Sequence, residues 1–182
     1  MNLPNKITMF RVFLIPFFVF FMLWDNVACH NFIAAAIFIV ASLTDMLDGK
    51  IARKYNLVSN FGKFMDPLAD KLLVSAALIC FVAIPSNPMP AWAVIVIISR
   101  EFIISGFRLV ASDAGVVIAA GYWGKIKTVV QMVMCVFLIL NFGGAVFDGI
   151  EIILIYAAVV LTVISLVDYL VKNWSVMQDG AM

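Results

Sequence analysis

Apolar residues run in six long stretches, broken by short polar or turn-forming segments. Each stretch is close to the roughly 20 residues that a helix needs to cross about 30 Å of hydrocarbon. The pattern predicts spans at about 6–24, 31–53, 65–85, 90–112, 122–141 and 148–171. The breaks carry turn chemistry: Asp25 with Asn26, "PSNPMP" at 85–90, Asp113 to Gly115, and "NFGG" at 141–144. The expected fold class is all-α, a polytopic membrane protein with six transmembrane helices forming one domain over 1–182. The first span has no small-residue cleavage site and others follow it, so it is expected to stay as an anchor.

Composition strengthens that reading. Hydrophobic residues make up 65% of the chain, charged residues 13%, and mean hydropathy is +1.11. Soluble domains are about 45–50% apolar and about 25% charged. A net charge of +1 leaves no basic field of the kind that nucleic-acid binders carry, so no nucleic-acid partner is expected. Cys29, Cys80 and Cys135 are too far apart for a metal or disulfide framework and read as small buried hydrophobes. His30 reads as a surface residue on an outer loop, and the C-terminal "QDGAM" as a solvated tail.

Charge placement orients the chain. The segments near 25–30, 85–90 and 141–149 contain no Lys or Arg. By the positive-inside rule those segments face away from the cytoplasm, and both termini face it. Asp45, Asp48, Asp66 and Asp70 then fall at the cytoplasmic boundary.

These aspartates sit in "DMLDGKIARKYNLVSNFGKFMDPLAD", residues 45–70. At 100° per residue, Asp45, Asp48, Gly49 and Ala52 share an arc of about 100°, and Arg53 widens it by about 40°. Asp66 and Asp70 are i and i+4, on one helical face. A connection of about ten residues makes the two helices antiparallel neighbours, so the four carboxylates can converge. Insertion costs roughly 2.5–3.5 kcal/mol per Asp at a helix centre, so such a cluster needs partners. Oxygen ligands suit hard divalent cations, and two of them balance four negative charges. Two metals stabilise the attacking and leaving oxygens of a displacement at phosphorus. The small residues Gly49, Ala52, Gly62 and Ala69 either let helices approach closely or leave room for a base and its phosphates. Arg53 either grips a diphosphate or snorkels to the interface.

The stretch reads D-x2-D-G-x2-A-R-x8-G-x3-D-x3-D, filled by Asp45, Asp48, Gly49, Ala52, Arg53, Gly62, Asp66 and Asp70. This resembles the signature of the CDP-alcohol phosphotransferase family, and all eight positions are present. The resemblance implies six transmembrane helices, a homodimer, and two divalent cations, magnesium first and manganese second. It makes Asp45, Asp48 and Asp66 metal ligands, and Asp70 both a ligand and the general base. Gly49, Ala52, Arg53 and Gly62 become nucleotide contacts.

Outside the signature, Asn5, Thr8 and Arg11 recur every three residues as a polar stripe on an apolar helix. If they point inward they line a pocket beside the metals, Asn5 and Thr8 towards the nucleotide and Arg11 towards an acceptor phosphate. Arg100, Arg108, Lys125 and Lys127 are the further candidates for that phosphate. Each has a plainer reading: Glu101 neutralises Arg100, Arg108 snorkels, and the lysines anchor the cytoplasmic face. "NLPNKITMFR", "SREFIISGFR" and "GKIKT" most resemble the bacterial members of the family that use sn-glycerol 3-phosphate. That branch implies CDP-diacylglycerol as the lipid partner and the cytoplasmic (inner) membrane of a bacterium as the location. Another phosphorylated acceptor, such as inositol phosphate, is the nearest alternative. A cation channel or carrier is more remote, because the carboxylates cluster at one boundary and leave no acidic path through the outer half. A structural scaffold is weaker still, giving no reason to keep four buried carboxylates.

Overall fold

The computed structural model describes residues 3–54, 60–113, 118–119 and 121–174, with the side chains of 3–5, 45–54, 60–67, 70 and 113 outside that description. Among the described residues the chain forms six α-helices and no strand. They are α1 (Leu3–Leu23), α2 (His30–Lys54), α3 (Asn60–Ala83), α4 (Ala91–Asp113), α5 (Tyr122–Leu140) and α6 (Ala145–Lys172). Lipid offers the backbone no hydrogen-bond partner, so long apolar segments must close their amides internally as helices.

Among the described residues, three segments are long and apolar enough to cross a membrane: Lys6–Leu23, Tyr122–Leu140 and Ala145–Lys172. Two shorter apolar stretches, His30–Thr44 and Lys71–Ala83, run from the polar parts of α2 and α3. Helix α4 is long enough but carries Arg100, Glu101 and Arg108, so charge rather than length sets it apart. Large apolar side chains such as Phe13, Ile95, Val146 and Ile153 are exposed, while alanines fill much of the core. That inversion of the soluble pattern is what a lipid solvent requires, and the chain is a helical membrane protein.

Two of the expected boundaries move. Helix α3 starts at Asn60 rather than near 65, and α6 at Ala145 rather than near 148. Reading spans by hydropathy misses their polar or glycine-flanked first turns, which are helical without being apolar. The α2–α3 connection is accordingly five residues, 55–59, instead of about ten.

The chain divides into two compact units, Met1–Asn87 with Cys135–Phe142, and Pro88–Met134 with Gly143–Met182. In the first, α1 packs along both α2 and α3. Phe18 meets Phe38 with ring centroids 5.8 Å apart. Fully buried Ala34 and Ala41 on α2, and Ala69 and Ala77 on α3, let the backbones come close. The burial of Ala69 favours its packing role over room for a base.

The turn after α1 corrects two expectations. Cys29 is exposed, whereas Cys80 and Cys135 are buried. Cys29 has φ of 60°, a turn conformation at the mouth of α2 rather than a place in an apolar run. His30 is no loop residue: it opens α2, half-buried, and its Nδ1 lies 3.1 Å from the Phe21 carbonyl. A carbonyl only accepts, so Nδ1 carries the proton there.

In the second unit α4 packs on α6. Ala93, Ile97, Ile104 and Ala111 of α4 are buried, as are Ile155, Ala158, Val159 and Tyr169 of α6. Thr162 and Ser165 are buried too, each donating its hydroxyl to a carbonyl one turn back, those of Ala158 (2.6 Å) and Thr162 (3.0 Å). Such back-bonding satisfies a hydroxyl that lipid or core would leave unpaired.

Candidate active site

The aspartates lie on helical backbone: Asp45 and Asp48 near the end of α2, Asp66 and Asp70 in the first half of α3. Their side chains, with those of Asn5, Gly49, Ala52, Arg53 and Gly62, lie outside the described residues. Helical register nevertheless places these positions. On α2 the buried residues Ala34, Ala35, Phe38 and Ala41 span an arc of about 120°. Continued along the same helix, positions 45, 49, 52 and 53 fall inside that arc, and 48 falls about 20° outside it. On α3 the buried stripe of Ala69, Leu73, Ala77 and Phe81 spans a similar arc. Positions 66 and 70 fall within it as well. The sectors of α2 and α3 that form the core of the unit therefore run on into the aspartate positions.

Helix α1 supplies the described part of this end. Thr8 and Arg11 are both fully buried, in line with Phe18 and Met22 further along the same face. The polar stripe read from the sequence does point inward at these two positions. Burying a guanidinium among apolar helices is costly unless acceptors meet it. Arg11 is among the largest fully buried side chains, so this charge belongs to the interior of the unit and does not snorkel.

The second unit holds the other cations. Glu101 stands between two of them: Arg100 donates from Nη1 to Glu101 Oε1 at 3.0 Å, and Lys127 Nζ bonds the same oxygen. Arg100 and Lys127 are buried, and the Glu101 side chain is 24% exposed. One carboxylate cannot neutralise two cations, so the trio keeps one net positive charge. Gly124 makes room for it. A Cβ there would stand 3.3 Å from Arg100 Nη2. Gln131 follows Lys127 by one turn on α5, and its Oε1 is buried with no hydrogen-bond partner among the described residues.

The structure separates the two lysines that the sequence grouped. Lys127 is buried in the trio, and Lys125 is exposed. Two residues on a helix differ by about 200°, so both cannot face one interior. Arg108 lies two turns beyond Arg100, half-buried, with its guanidinium carbon 5.6 Å from the centre of the Tyr169 ring. Phe107 meets that ring edge-on at 5.6 Å.

The sequence reading missed Gln131, Gly124 and Tyr169. Gln131 had a signal: it is the i+4 partner of Lys127 in an otherwise apolar helix. Tyr169 had none, because a tyrosine in an apolar run reads equally as core or lipid-facing.

Residues 1–164 match the CDP-alcohol phosphatidyltransferase family. A relative from Bacillus subtilis, a CDP-diacylglycerol–glycerol-3-phosphate 3-phosphatidyltransferase, is 47% identical over 98% of both chains. A protein of the same name from Haemophilus influenzae is 40% identical over 93% of this chain and 91% of its own. A probable phosphatidylglycerophosphate synthase from Mycobacterium tuberculosis is 35% identical over 94% of this chain and 81% of its own. The shared stretch includes Asp45, Asp48, Asp66, Asp70, Arg11, and the Arg100–Glu101–Lys127 trio. On that match, the chain belongs to the CDP-alcohol phosphatidyltransferase family.

Proposed function

We propose that this protein transfers the phosphatidyl group of CDP-diacylglycerol to sn-glycerol 3-phosphate, giving phosphatidylglycerol phosphate and CMP. The observation that carries this is the 47% identity over 98% of both chains to a relative named for that reaction. The buried cations Arg11, Arg100 and Lys127 support a phosphorylated acceptor, since a neutral alcohol gives no reason to hold guanidinium and ammonium groups inside an apolar protein.

Two divalent cations, magnesium in the first place, are held by Asp45, Asp48, Asp66 and Asp70. The fit rests on the donor set, four carboxylates on core-facing helical positions, which suits hard cations. When bound they draw charge from the diphosphate, making phosphorus electrophilic and CMP a good leaving group. Arg53 grips the diphosphate, and Gly49, Ala52 and Gly62 leave space for the nucleotide, with Asn5 and Thr8 lining it. Asp70 accepts the proton of the acceptor hydroxyl as its oxygen bonds to phosphorus and the bond to CMP breaks. A carboxylate of ordinary pKa about 3.9 is a weak base, so this proton moves late. Arg11, Arg100, Arg108 and Lys127 are assigned to the acceptor phosphate, while exposed Lys125 keeps the plainer role of anchoring the cytoplasmic face.

The active site faces the cytoplasm of a bacterial inner membrane in this reading, with six spans and both termini inside. The cation-free outer turns support it. The family match over 1–164 draws on both compact units, which supports a single functional domain. A homodimer, implied by the family, is part of the proposal and is tested by cross-linking in the membrane.

CMP release by purified protein with CDP-diacylglycerol and each acceptor in turn tests the substrate. Glycerol 3-phosphate should exceed both inositol phosphate and a blank without acceptor. A response no greater than the blank would defeat the assignment. Inversion at a chiral thiophosphate donor is expected for direct attack, and net retention would require a covalent intermediate.

A further inference from the structure

We propose that Tyr169 sets acceptor specificity, its phenol hydroxyl donating a hydrogen bond to the phosphate of the incoming alcohol alongside Arg108. This deepens the reading above and rests on it. Tyr169 is only 5% exposed, yet its hydroxyl has no hydrogen-bond partner among the described residues. Buried tyrosine hydroxyls normally find one. Arg108 Nε, on the guanidinium that lies over the same ring, is buried and likewise without a partner among the described residues. Among the described residues the pair thus offers donors with no acceptor to meet them.

The ring is held on two sides. Phe107 meets it at an interplanar angle of 85°, and the Arg108 guanidinium stacks over it. A clamped ring fixes its hydroxyl in space, which is what a preorganised donor needs. The neighbouring acid does not compete for the cation. Asp168 lies about 100° further round α6 and is paired with Lys172 at 2.6 Å. A fixed hydroxyl and a desolvated guanidinium edge together match the oxygens of a phosphomonoester.

Tyr169→Phe removes the hydroxyl and keeps the ring, so both stacking contacts persist. Steady-state CMP release is measured with each substrate varied in turn. The KM for sn-glycerol 3-phosphate should rise about tenfold, the loss of one hydrogen bond to a charged group. The KM for CDP-diacylglycerol and kcat should each stay within about twofold. An unchanged acceptor KM would overturn the proposal, as would a shift in the donor KM or a fall in kcat alone. A variant that did not fold would show the hydroxyl to be structural and overturn it too. Wild-type protein inert with glycerol 3-phosphate would instead defeat the underlying function, a distinguishable result.

Discussion

The two compact units handle buried charge in opposite ways. In the first, α1 carries Arg11 fully buried at the same end of the fold to which the core sectors of α2 and α3 bring four aspartate positions. Cation and carboxylate positions there are distributed over three helices. In the second, Arg100 and Lys127 are compensated within the protein by Glu101, leaving one net positive charge beside Gly124 and Gln131. The difference teaches a division of labour. In the proposed reading the first unit is completed by divalent cations, while the second pairs its charges within the protein.

The strongest way to break this contrast is to remove a carboxylate from the first unit. Asp48→Asn should lower CMP release about a thousandfold, several kcal/mol of transition-state stabilisation, and weaken CDP-lipid binding as well. Asp70→Asn should lose about 10²–10⁴ in kcat while keeping much of the donor affinity, because the diphosphate grip remains. Equal turnover in the Asp70 variant and wild type would refute the base assignment.

A smaller effect is expected from the second unit's internal pairing. Glu101→Gln leaves Arg100 and Lys127 side by side without their shared partner. It should destabilise the protein by about 2–3 kcal/mol, under the range for a fully buried pair because Glu101 is partly exposed. Thermal unfolding in detergent checks this, and an unchanged midpoint would mean the trio is not a structural pair. Weaker again is Gly124→Ala, whose methyl would press on Arg100 Nη2 at 3.3 Å. The acceptor KM should rise a few-fold, about 0.5–1 kcal/mol, with stability nearly unchanged. Lys125→Ala should do least, within about twofold in either kinetic constant, since its exposed ammonium is screened by water.

Topology has its own test in the cysteines. Cys29 is exposed and the other two are buried. An impermeant maleimide added to intact cells should label the protein once, at Cys29. No labelling until the membrane is opened would reverse the orientation.

Much of this was legible before any coordinates. Helix number and type followed from the apolar runs, because a backbone in lipid has few alternatives to a helix. The three-residue spacing put Thr8 and Arg11 on one stripe, and the structure turns that stripe inward. Helix starts were less legible, since the polar first turn of α3 from Asn60 carries no hydropathy signal. The Glu101–Lys127 bond joins residues on different helices, which no local pattern encodes. Lys125 and Lys127 were separable in principle, as their spacing already puts them on opposite faces. Tyr169 was not, because its distinguishing feature is the packing around its ring.

The central claim is that this chain uses CDP-diacylglycerol and sn-glycerol 3-phosphate. CMP release by the purified protein, with magnesium and both substrates, tests it most directly. The account predicts release well above the blank without acceptor and its loss when a chelator removes the metal. Release that is no faster with glycerol 3-phosphate than without it would contradict the account.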